Sequence, residues 1–69
     1  MSRALTKKIL FTDGEYFVAL TDQLAVRVGM VGGTCFDVPM GHAYFERIAE
    51  AKARVEVEAL FDELAGAFA

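Results

Sequence analysis

Cys35, Asp37 and His42 lie close together in the chain and offer a thiol, a carboxylate and an imidazole. The chemistry open to such a set is nucleophilic: a thiolate attacks, an imidazole takes its proton, and a carboxylate orients the imidazole. That chemistry needs a fixed hydrogen bond between nucleophile and base, and nothing in this spacing supplies one. Cys35 is the only cysteine and has no basic neighbour in sequence to lower its pKa, so it reads as a small, half-buried hydrophobe. His42 is also single, which leaves no Cys/His set for zinc, and the Asp and Glu residues lack calcium-loop spacing. Beside Gly41, His42 is expected to make local hydrogen bonds at a helix start. Gly32-Gly33 joins two apolar runs without the lysine and hydroxyl residue of a phosphate loop, and reads as a hairpin turn. No catalytic residue, cofactor site or metal site is assigned. The expectation is a protein that is not an enzyme and works by binding.

The composition narrows what is bound. The chain has 69 residues, 55% of them hydrophobic, with a net charge of −3. This size fits a single domain over residues 1–69, near the lower limit for independent folding. The apolar content argues against disorder. No apolar run reaches the 18 residues of a membrane span, and the apolar stretch after Lys7-Lys8 is too short for a signal-peptide core. A cytoplasmic location is expected, and a single cysteine fits a reducing compartment. Nucleic-acid binders are usually basic, because neutralising phosphates supplies most of their affinity. The acidic balance therefore makes nucleic acid an unlikely partner.

The elements follow from periodicity and turn residues. Residues 7–12 form an apolar run ended by Asp13-Gly14, a strong hairpin dipeptide. Tyr16, Val18 and Leu20 then alternate with Phe17, Ala19 and Thr21. After a turn at Asp22-Gln23, Leu24, Val26, Val28 and Met30 share one face, and Gly29 signals a bulge or a close backbone approach. Phe36 and Val38 point inward from the next strand, Cys35 and Asp37 outward, and Pro39 ends it. From His42 onward the residues favour helix, with no Gly or Pro before Gly66. The fold class is therefore α+β: an antiparallel meander of three to four strands with one long C-terminal helix, continuous or broken in two.

That helix carries two apolar stripes. Tyr44, Phe45, Ile48, Val55 and Ala59 fall on one side, and Val57, Leu60, Phe61, Leu64 and Phe68 on another. A straight helix on a small sheet buries only one of them. Either the chain breaks near residues 52–55 or the second stripe meets another chain, such as a second copy in a homodimer. Val57, Leu60, Phe61, Leu64 and Phe68 are thus the candidate protein interface. Glu50, Glu56, Glu58, Asp62 and Glu63 form a candidate acidic face suited to a basic protein surface. Glu50 and Arg54 are spaced for an i,i+4 ion pair.

Val26, Val28, Val38-Pro39, Tyr44-Phe45 and Arg47-Ile48-Ala49 carry a resemblance. Together, residues 24–51 resemble a family of small bacterial domains of unknown function, in which a hairpin ends in Val-Pro and a short helical segment follows with an aromatic and then Arg-(Leu/Ile)-Ala. Some members are encoded beside toxin-like proteins, so the resemblance implies an antitoxin-like or regulatory binder. The leading expectation is a protein-binding inhibitor or adaptor, of the kind that phages and plasmids encode, anti-CRISPR proteins included. The alternatives are a nucleic-acid-binding regulator using Arg3, Lys7, Lys8 and Arg27, and an accessory subunit that completes an enzyme's site.

Overall fold

A computed structural model describes residues 5–67. Four strands, β1 (Thr6–Thr12), β2 (Tyr16–Thr21), β3 (Ala25–Met30) and β4 (Cys35–Pro39), form one antiparallel sheet in the order β1-β2-β3-β4. Two helices follow, α1 (Phe45–Ala49) and α2 (Arg54–Ala67). The α+β meander read from the sequence is the observed fold, with four strands and the helical segment broken in two.

The turns explain the hairpins. At β1–β2, the Asp13 carboxylate accepts the Glu15 and Tyr16 N–H groups, both at 2.9 Å, and Gly14 takes a positive φ of 94°. At β3–β4, Gly32 has φ 74° and the Met30 N–H donates to the Thr34 carbonyl at 3.0 Å. Gly29 pairs with Cys35, and a Cβ there would collide with the Cys35 side chain and the Thr34 carbonyl. Of the two roles open to Gly29, close backbone approach is the one observed.

Both helices pack on one face of the sheet. Tyr16, Val18, Val26, Val28 and Val38 meet Ile48, Ala51, Val57, Leu60 and Leu64 in a single core. A continuous helix over residues 42–66 would be about 37 Å long at 1.5 Å per residue. A sheet of five- to seven-residue strands offers much less room. The chain therefore turns at residues 50–53, though no Gly or Pro lies there. The Glu50 N–H closes α1 on the Glu46 carbonyl, and Ala51, 2% exposed, plugs the core at the bend. The Ala53 carbonyl then accepts the Glu56 and Val57 N–H groups at 3.1 Å and starts α2. Arg54 fixes the new direction: it bonds Glu15 at 2.8 Å, lies 3.5 Å from Asp13, and has its guanidinium carbon 5.3 Å from the Tyr16 ring centroid.

This bend corrects three sequence readings. Val57 and Leu64 are fully buried, Leu60 is 5% exposed, and Phe61 packs edge-on against Tyr16 with ring centroids 5.7 Å apart. These four residues of the candidate interface belong to the chain's own core or pack against it, because the bend brings the second stripe onto the sheet face that Ile48 of the first stripe also meets; Phe68 lies outside the described residues. Val55, grouped with Phe45 and Ile48 on one side of a continuous helix, is 74% exposed, because the chain forms two separate helices and the single-helix geometry behind that grouping does not hold. Arg54 pairs with Asp13, Glu15 and Glu58 rather than with Glu50, which stands beyond the bend.

Candidate functional site

Asp37 and His42 of the candidate nucleophilic set each have a partner outside it. The Asp37 carboxylate is gripped by Arg27 through two bonds of 2.6 and 2.8 Å, and Nδ1 of His42 accepts the Tyr44 N–H at 3.1 Å. Cys35 is half-buried beside Gly29. Among the described residues no group of three or more His, Cys, Asp or Glu could hold a metal ion. No helix among them is long and apolar enough to cross a membrane.

The acidic face is exposed but partly engaged. Glu63 accepts the Tyr44 hydroxyl at 2.8 Å and faces Arg47 at 3.5 Å, which joins the two helices. That bond raises the Tyr44 pKa above its ordinary 10.0, and the nearby Glu63 charge adds to the effect. Glu56 accepts the Lys52 N–H at 3.3 Å, capping α2, and Glu58 lies 3.8 Å from Arg54. Glu50 lines a shallow depression with Glu56, while Asp62 is exposed. Three of the five acids thus have partners within the chain.

The basic set is divided. Arg27 lies on the sheet face away from the helices with its side chain 10% exposed, held by Asp37. Lys7 and Lys8 stand elsewhere, at the β1 edge, and Arg3 is outside the described residues.

The site that does assemble is an apolar groove of about 610 Å³ at the end of the sheet where β2 turns into β3. Leu20, Leu24, Met40 and Phe45 form its apolar lining, and Lys7, Lys8, Thr21 and Asp22 complete it. Leu20 and Phe45 are half-buried and lean on the core. Leu24 and Met40 stand 67% and 60% exposed, linked by the Met40 N–H donating to the Leu24 carbonyl at 3.2 Å. A tight turn presents Leu24: the buried Thr21 hydroxyl accepts the Gln23 and Ala25 N–H groups at 3.2 and 3.3 Å. This turn holds Leu24 at φ 58°, the one positive φ among the described residues outside glycine. One oxygen of Asp22 is occupied by the Leu5 N–H at 3.1 Å. The lysines reach the groove together through a break in register: Thr6 pairs with Thr21 and Lys8 with Leu20, so β1 bulges at Lys7.

Sequence reading missed this groove. It placed Leu24 at the start of a strand and grouped the lysines with Arg3 and Arg27. The available signals were an exposed-type leucine where a turn after Asp22-Gln23 favours Asn or Gly, and two consecutive lysines opening an apolar strand. No family model, curated protein or solved structure matches the chain.

Proposed function

We propose that this chain is a small, non-enzymatic protein-binding module, acting as an inhibitor or antitoxin-like adaptor, and that the groove at Leu24 and Met40 is its contact surface. The observation that carries this reading is Leu24 itself. A branched apolar residue at φ 58° and 67% exposed has two unfavourable features at one position. The left-handed conformation costs an L-residue about 1–2 kcal/mol. Exposure forfeits the burial that would offset that cost within the chain. Such an outlier points to a role outside the fold. Met40 beside it is a flexible apolar side chain suited to adapting to a partner.

Nucleic-acid binding has less behind it. The groove lining is mainly aliphatic and aromatic, the net charge is −3, and Arg27 is committed to Asp37. The test is capture of a stoichiometric partner from the native host by tagged wild type, Leu24→Asn and Asp62→Lys proteins. The reading expects the partner to be lost with Leu24→Asn and kept with Asp62→Lys, which alters the far helix. Retention by a folded Leu24→Asn protein would refute the groove as the contact surface.

A further inference from the structure

The β1 bulge gives the groove a charge preference. In a regular strand, consecutive side chains point to opposite faces, so Lys7 and Lys8 would be separated by the sheet. The register shift between Thr6 and Lys8 removes that alternation, and both lysines line the same apolar groove. Among the described residues neither lysine has an ion-pair partner within 4.0 Å. The groove's one acid, Asp22, accepts the Leu5 N–H with one oxygen and offsets only one of the two lysine charges. The result is a local cationic rim beside an apolar floor on a chain whose net charge is −3. We infer that the groove's occupant is a segment of another protein that places an Asp or Glu carboxylate beside large apolar side chains, the carboxylate meeting Lys7 and Lys8 while the apolar groups cover Leu24, Met40 and Phe45. This inference rests on the groove being the contact surface, and adds the chemistry of what enters it.

An apolar floor discriminates among anionic partners. A nucleic-acid backbone needs a track of donors, whereas Leu20, Leu24, Met40 and Phe45 offer none from their side chains. A peptide can satisfy both halves of the groove. Rim charges of this kind act mainly on association rate and on choice of partner, and their effect is screened by salt.

The experiment pans a random peptide library displayed on phage against the full chain, then measures synthetic versions of the enriched peptides by fluorescence anisotropy. The expected peptides combine large apolar residues with at least one Asp or Glu. They should bind the Lys7→Glu/Lys8→Glu protein about tenfold more weakly, lose affinity as salt rises, and regain it on the charge-reversed protein when their acids become lysines. If the Glu pair fails to fold by circular dichroism, Lys7→Gln/Lys8→Gln replaces it, with the same direction of effect. Peptides that need Leu24 but show no acidic preference, or ignore the lysine changes, would overturn the inference and leave the groove as a contact surface. Enriched peptides that bind Leu24→Asn as well as wild type would overturn both. Competition by a single-stranded DNA oligonucleotide would overturn it in favour of nucleic acid. Self-association of the chain that disappears in the lysine variants would overturn it by assigning the groove to a second copy.

Discussion

Arg27 illustrates how single residues close a sheet face that no helix covers. Its guanidinium makes a forked contact with Asp37 on β4 and a longer one, 3.4 Å, with the Thr6 hydroxyl on β1. Ala19, which pairs with Arg27, is completely buried although both helices lie on the opposite face. The aliphatic stem of an arginine can cover apolar surface in this way while its head stays paired. Arg27→Ala should therefore remove packing as well as charge. Since Asp37 keeps a third of its side chain exposed, the expected loss is about 1–2 kcal/mol by urea denaturation, below the cost of breaking a fully buried pair. Gly29 is less forgiving, because the atoms that a Cβ would meet include backbone. Gly29→Ala should destabilise by about 1–3 kcal/mol, measured in the same way. Cys35→Ser, at a half-buried position, should cost under about 1.5 kcal/mol and leave binding intact. Loss of binding in a folded Cys35→Ser protein would return a functional role to the thiol. At this scale the sequence was informative about Gly29, whose place inside an alternating strand had few explanations, and silent about Lys7. Bulging depends on cross-strand pairing, and period-two alternation assigns consecutive residues to opposite faces.

At the scale of elements, the sheet was legible and the helix only half so. Asp13-Gly14, Gly32-Gly33 and Pro39 fix the ends of strands through local backbone chemistry, which sequence carries directly. The bend at residues 50–53 has no local cause. Ala51 entering the core and Arg54 reaching the β1–β2 turn are tertiary contacts, and they outweigh helix-favouring residues on both flanks. That is why one stripe could be read with equal reason as core or as interface. With Val57, Leu60 and Leu64 buried in the chain's own core, changes there should act on folding. Leu64→Ala should cost about 2–5 kcal/mol. Leu64→Asp combined with Phe61→Ser should unfold the protein outright, as judged by circular dichroism. A folded double variant that had merely lost a dimer or a partner, as shown by light scattering, would restore the interface reading.

The whole molecule couples a small one-sided core to a few polar ties between elements, and those ties should set its response to pH. The N–H groups of Tyr16 and then Glu15 hold Asp13 below its ordinary pKa of 3.8. A carboxylate with a depressed folded pKa adds stability above its unfolded pKa and loses it as pH falls through the folded value. The Asp13 contribution should thus disappear below about pH 4. The Tyr44 pKa is raised above 10.0, chiefly by its bond to Glu63. Its contribution is present below the unfolded value and lost as pH rises through the folded one. Stability should therefore decline at both extremes, with Asp13→Ala flattening the acid limb and Tyr44→Phe the alkaline limb. Across the middle of this range the fold holds Leu24 in an unfavourable backbone conformation at the mouth of the groove. The central claim is that this conformation serves binding and not folding. The most direct measurement is the urea midpoint of Leu24→Asn against wild type, because Asn tolerates the left-handed region and Leu24 buries little. The account predicts a variant more stable by about 0.5–1 kcal/mol. A variant less stable than wild type by 1 kcal/mol or so, a size typical of substitutions that remove native contacts, would show that Leu24 supports the fold, and would contradict the claim.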